Sequence, residues 1–96
     1  MNEIKKDPKE QFIKRCEYYA NIEKSYTKQT KFLKLCRFRM LGDRNSRMWT
    51  GDELVWRIEI LKRYFPKETE KMLEYVENEK KIREKKRKIR EQRFIM

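Results

Sequence analysis

Trp49-Thr50-Gly51-Asp52-Glu53-Leu54-Val55-Trp56-Arg57-Ile58-Glu59-Ile60-Leu61-Lys62-Arg63-Tyr64-Phe65-Pro66 is a helix with both of its ends written into it. Thr50 and Glu53 have the spacing of a capping box, in which each side chain satisfies an amide near the other, and Trp49 to Leu54 has the spacing of a hydrophobic staple. Trp49 is thereby assigned a structural role. Leu54, Val55, Ile58, Leu61 and Phe65 fall on one helical face, and Trp56, Ile60 and Tyr64 widen it past half the circumference, so the segment is expected to be the central core helix. Pro66 stops it and opens another, because Glu68 and Glu70 place carboxylates in a first turn where the helix dipole favours them.

Toward the N-terminus, Asp7-Pro8-Lys9-Glu10 is a second helix start: Asp7 accepts from first-turn amides, Pro8 lacks an amide that would be orphaned, and Glu10 reaches back. Apolar positions then recur at Phe12, Cys16, Tyr19, Tyr26, Leu33 and Met40, flanked by Ile13, Ala20 and Cys36. Polar Glu23 and Thr30 interrupt that stripe, and Ser25-Tyr26-Thr27 offers a restart, so the region reads as two helices in preference to one. Gly42 is the expected C-terminal cap, and residues 42–50 the one long loop. Toward the C-terminus, Met72, Leu73 and Val76 are expected in the core. From residue 77 no Gly, Pro, Ser or Thr intervenes, so a helix is predicted to run outward and fray. Tyr75, Ile82, Ile89 and Met96 repeat every seven residues, but their companions Glu79, Lys86 and Arg93 are charged, a poor seam for a coiled coil. No strand pattern appears. The fold class that follows is all-α, a small three- to four-helix domain with a projecting basic C-terminal helix: residues 1–76 as the core and 77–96 as a basic extension.

The composition narrows the function. The chain has 96 residues, of which 45% are charged and 38% hydrophobic, enough for one small core. No apolar run approaches the ~20 residues of a membrane span, and MNEIKKDPKE has no hydrophobic region of a signal peptide; a cytoplasmic protein is expected, in a host cell's cytoplasm if the source is a phage. A single Ala against 16 Lys and 8 Ile suggests AT-rich coding, as in a low-GC bacterium, a phage or another mobile element. With no His, two Cys and no Gly-rich phosphate loop, neither a metal site, a cofactor nor an enzyme is implied. Cys16 and Cys36 read as small buried apolar residues.

Net charge carries the functional information. The total is +11: +2 over residues 1–30, +5 over 31–50, −1 over 51–76 and +5 over 77–96. The charge therefore avoids the core hairpin and gathers in two patches. The first is Lys31, Lys34, Arg37, Arg39, Arg44 and Arg47, in which Lys34, Arg37 and Arg44 are expected on one face and Arg47 and Asn45 on a loop that reaches into a groove; its arginine forks suit phosphate or guanine edges. The second is Lys80, Lys81, Arg83, Lys85, Lys86, Arg87, Lys88, Arg90 and Arg93, a run suited to tracking phosphates. Trp49-Thr50-Gly51-Asp52-Glu53-Leu54 resembles the opening of Myb-like helical DNA-binding repeats, but Trp56 stands too close to be that repeat's next tryptophan, and the six residues assign no family.

The expectation is a small basic nucleic-acid-binding protein, regulatory or accessory, holding DNA or RNA mainly through phosphate. DNA is slightly favoured, because an arginine-bearing loop suits a duplex groove and no aromatic platforms for single strands are evident. The rival is a protein-interaction module, such as a phage-encoded inhibitor or an assembly subunit, docking an acidic protein surface. Tyr18, Phe32, Leu35, Phe38, Trp56, Ile60 and Tyr64 exceed what one small core is expected to bury, which points to a homodimer through residues 26–41 and 54–65.

Overall fold

In the computed structural model, which describes residues 7–94 and side chains as far as residue 90, four α-helices account for the fold. They are α1 (Pro8–Glu17), α2 (Tyr26–Leu41), α3 (Gly51–Tyr64) and α4 (Pro66–Phe94). The expected Met96 end of the heptad series lies outside the described residues, as do residues 1–6. Helix α3 packs against both α1 and α4, and α2 lies along α4. The molecule is an all-α domain.

Asp7 caps α1 by accepting from the Lys9 amide at 3.1 Å. Beyond Glu17 the helix widens into one π-helical turn, Tyr18–Ile22, closed by the Glu23 amide on the Tyr18 carbonyl at 2.7 Å. The chain then breaks and restarts at Ser25, whose hydroxyl accepts from Lys28 N at 3.5 Å. Two helices are therefore present, as the polar interruption predicted. The break also resets the helical phase, which the apolar stripe of the sequence did not anticipate. Tyr26 is 82% exposed, and α2 turns Phe32, Cys36 and Met40 inward instead. Gln29 Nε2 spans the break to the Tyr19 carbonyl at 2.7 Å, while the Tyr19 ring stacks on Phe32 at 4.9 Å. Gly42, at φ +70°, ends α2 in a Schellman motif, with the Asp43 amide donating to the Phe38 carbonyl at 2.9 Å.

The start of α3 departs from the capping box. The Thr50 side chain makes no capping bond. Glu53 has been drawn away by Arg47, which donates two hydrogen bonds of 2.9 Å to its carboxylate, and by Arg57 at 3.2 Å. Charge-assisted bonds of this kind outcompete a neutral amide, and Gly51, at φ +58°, turns the chain into the helix in a left-handed conformation open to glycine. Trp49 is nonetheless core, 3% exposed and edge-on to Phe12 at 5.7 Å. The inward face of α3 is also shifted: Ile60, Leu61 and the adjoining Phe65 are buried, Leu54, Trp56, Ile58 and Tyr64 are half-buried, and Val55 points outward at 56% exposure. Met72 and Val76 complete the core from α4, with Leu73 half-buried beside them. Burial on α4 ends at Val76, and every residue from Lys80 to Arg90 is exposed.

The surplus of apolar side chains is largely absorbed within one copy. Phe32 and Ile60 are buried, Phe38, Trp56 and Tyr64 half-buried, and only Tyr18 and Leu35 remain exposed. Phe32 and Ile60 pack in the same core as Met72 and Val76 of α4, and a second copy is not required to bury them. Cys16 and Cys36 are buried, and desolvation pushes both thiols up to about 12, so they are neutral and unreactive at physiological pH.

Thr69 is fully buried, yet its hydroxyl has no hydrogen-bond partner among the described residues. Two opposite outcomes are expected from thermal unfolding. Thr50→Ala leaves stability within about 0.5 kcal/mol of wild type, because no cap bond is lost. Thr69→Val, which keeps the shape and removes an unsatisfied hydroxyl, stabilises by about 1 kcal/mol, a rise of roughly 4–8 °C in a domain of this size.

Candidate nucleic-acid interface

The first basic patch divides in two when it is folded. Successive helical residues are 100° apart, so Arg37 and Arg39 cannot share a face. On one side of α2, Lys34, Arg37 and Arg44 converge on the Phe38 ring at 6.0, 5.6 and 5.0 Å, as the sequence expected of these three. Lys31 is exposed on the same side, at the i, i+3 spacing from Lys34. Arg37 also lies over the Tyr75 ring of α4 at 4.7 Å. On the other side Arg39 and Arg47 face a separate recess with Arg15 and Arg57. Arg47 does not reach into open space, because its fork is engaged by Glu53.

A turn of unusual conformation presents Arg44. Arg44 and Asn45 both have positive φ, +54° and +59°, in the left-handed region that costs an L-residue of order 1 kcal/mol. Neighbouring bonds hold them there: the Ser46 amide donates to the Asp43 carbonyl at 3.0 Å and the Trp49 amide to the Arg39 carbonyl at 2.9 Å. Asp43 is itself clamped by Arg83 of α4 through two bonds of 3.0 and 3.1 Å, and Arg83 also donates to Glu79 at 3.3 Å. The Arg83 hydrogen bonds hold the Asp43 carboxyl below the usual carboxylate range, and Arg37 and Arg44 add to that effect, so four charges meet at one point.

This clamp ties α4 to the Lys34, Arg37 and Arg44 side of the first patch and engages Arg83 with Asp43 and Glu79. Along α4, Lys81 and Lys88 stand 3.9 and 3.7 Å from Glu77 and Glu84, loose pairs on the solvated surface that are worth little. Lys80, Lys85, Lys86 and Arg90 are exposed and form no ion pair among the described residues, and Arg87 is exposed beside them. The Arg93 side chain lies outside the described residues. Between α2 and α4 a shallow groove of about 670 Å³ is lined by Tyr26, Lys34, Arg37, Lys71 and Tyr75, with Glu68 as its acid. Tyr26 and Tyr75, the latter 46% exposed, are aromatic surfaces set among cations. The sequence reading had found no such platform, since it placed Tyr26 in the apolar stripe.

No family model, no curated protein and no solved structure matches this chain.

The residues that sequence reasoning missed are Arg15, Arg57 and Lys71. One of them had left a signal: Arg57 interrupts the apolar run from Leu54 to Leu61, where a cation needs a partner. Its guanidinium lies 4.7, 4.7 and 4.6 Å from the Phe12, Trp49 and Trp56 rings. Glu53 beside it is lowered from 4.5 to about 2, first by the Arg47 hydrogen bond and then by that of Arg57. Because the folded-state value is depressed, the stabilisation is fully present above pH 4.5 and is lost as pH falls toward 2. The melting temperature of wild type is expected to drop across that window. In Glu53→Gln the baseline is lower at pH 7 and the drop is smaller, as a thermal-melt series from pH 7 to pH 2 will show.

Proposed function

We propose that this protein binds nucleic acid through the phosphate backbone, as a small regulatory or accessory factor. The observation that carries the reading is the cluster of Lys34, Arg37 and Arg44 around Phe38, tied by the Arg83–Asp43 clamp to α4, where Lys80, Lys86 and Arg90 fall at i−3, i+3 and i+7 from Arg83 and so on its side of the helix. Lys80, Lys86 and Arg90 recur along that side while Lys85, at i+2, points away, and such a row follows a phosphate chain and gains free energy from counterion release. Tyr26 and Tyr75 supply stacking surface in the groove, so unpaired bases compete with a duplex for this face. The regulatory role, and the cytoplasmic or phage-infected setting expected from the composition, belong to the same proposal.

Docking on an acidic protein is the second reading. Its support is the row formed by Tyr75, Ile82 and Ile89, all about half exposed on α4 among the lysines, an apolar seam with a basic rim. Pairing of two copies, if it occurs, has this seam and the exposed Leu35 to draw on, since residues 54–65 are mostly spent on the core.

Titration of a duplex of 20 to 30 base pairs against salt is expected to give a log–log slope of about −4 to −7, for five to eight phosphate contacts. A slope near zero removes the proposal. Replacing Lys80, Lys86 and Arg90 by Ala should weaken all sequences alike and flatten the slope by about 2 to 3, whereas Tyr26→Ala should weaken single strands more than duplexes. Competition between duplex DNA and single-stranded RNA of equal length in one buffer ranks the two ligands.

A further inference from the structure

Behind the basic face, on the side of α2 turned toward α1 and the loop, lies a recess of about 320 Å³ whose polar wall is Arg15, Arg39, Arg47, Arg57 and Ser46. Its size is at the lower end of small-ligand sites. Four arginines line it, and one carboxylate, that of Glu53, is shared between Arg47 and Arg57. Arg15 and Arg39 form no ion pair among the described residues. Three positive charges are therefore unmatched within one small concavity.

The contacts within the protein leave this charge unbalanced. Arg57 has a structural role in its aromatic cage, Arg15 lies over the Phe32 ring at 5.8 Å and Arg47 is fixed by Glu53, but none of these contacts supplies a second anion or accounts for Arg39 of α2 at the same recess. Like charges at close range repel. The Arg57 Nε–H, moreover, is buried and has no acceptor among the described residues. Arg47 and Arg57, held by Glu53, are ordered before any ligand arrives, which lowers the entropy cost of gripping one. The neighbouring Cys36 thiol stays neutral in spite of Arg15, Arg57 and Arg39, so the protein supplies no further anion from that wall.

We propose that this recess is an anion site for a phosphomonoester dianion, with Arg15 and Arg39 as the ligand-binding forks and Arg47 and Arg57 as the preset floor. A monoester carries about −1.5 to −2 at neutral pH and three acceptor oxygens, which answers both the surplus charge and the number of donors, whereas an internal phosphodiester carries a single charge. The same chemistry comes from two sources, the 5′-terminal phosphate of a nucleic acid or a free phosphorylated metabolite. The site is separate from the α2–α4 groove and does not depend on nucleic acid binding there.

The test uses the full chain and follows tryptophan fluorescence, since Trp49 lines the recess. Inorganic phosphate at pH 7.5 is expected to give a saturable change, at least tenfold tighter than dimethyl phosphate at matched ionic strength, with chloride giving none. In the Arg15→Ala/Arg39→Ala double variant, phosphate affinity should fall at least tenfold while the unliganded melting temperature stays within a few degrees of wild type, because both side chains are exposed. A Lys34→Ala/Arg37→Ala variant should keep phosphate binding. The proposal is overturned if chloride or dimethyl phosphate acts as phosphate does, or if the double variant binds phosphate normally. Given phosphate binding, a preference for a 5′-phosphorylated over a 5′-hydroxyl oligonucleotide that the double variant loses identifies the nucleic-acid end as the source; no preference identifies a free metabolite. Loss of all oligonucleotide binding with phosphate binding intact would count against the backbone-binding face alone.

Discussion

The carboxylate of Glu53 is the point on which the other parts of this small protein turn. It accepts two hydrogen bonds from Arg47 of the loop and one from Arg57 one helical turn ahead of it, and so fixes the loop to α3. Arg57 is 15% exposed and is surrounded by Phe12, Trp49 and Trp56, contributed by α1, the loop and α3. A guanidinium is costly to bury without a partner, and here the rings and the carboxylate together offset the loss of water. Removing Glu53 would leave that cation buried and unpaired. The loop, the N-terminal helix and the central helix thus share one charge-assisted contact beside the direct packing of Phe12 on Trp49 and Trp56.

A second ion pair performs the corresponding task for the long helix. Past Val76, α4 has no core to rest on, and its side chains from Lys80 onward face water. The Arg83–Asp43 clamp is the contact that ties this part back to the loop, at a separation of 40 residues in sequence. It orders the left-handed turn at Arg44 and Asn45 from one side, as the bonds to Ser46 and Trp49 do from the other. Strain in that turn is sustained because its neighbours determine it twice over. The same residues that stabilise the loop thereby set where the exposed charges stand relative to one another.

The basic residues consequently have two kinds of surroundings. Lys34, Arg37 and Arg44 lie over aromatic rings on an open, solvated face suited to an extended polyanion, and Arg15, Arg39, Arg47 and Arg57 line a recess suited to a compact one. Shape separates the two, since both present exposed charge that is screened over about 10 Å at 0.1 M salt, although Arg57, 15% exposed, is shielded from it.

Local chemistry in the sequence was sufficient for the helices themselves. Asp7-Pro8, Ser25, Gly42 and Pro66 mark element ends through capping, a missing amide or a left-handed φ, effects that act over a few residues and need no fold to operate. The all-α class, the two-helix reading of residues 8–41, the burial of Trp49 and both cysteines, and the grouping of Lys34, Arg37 and Arg44 were legible for that reason. What depended on distant partners was not. Tyr26 left the apolar stripe because a π-helical turn and a three-residue break changed the helical phase. Thr50 lost its capping box because Glu53 was taken by two arginines, and Val55 turned outward as the orientation of α3 was set between α1 and α4. Arg15 and Arg57 joined Arg39 and Arg47 because helix packing, and no spacing along the chain, brings three helices and a loop to one recess. Spacing along one helix determines which side chains share a face; only the packing of helices determines which faces meet.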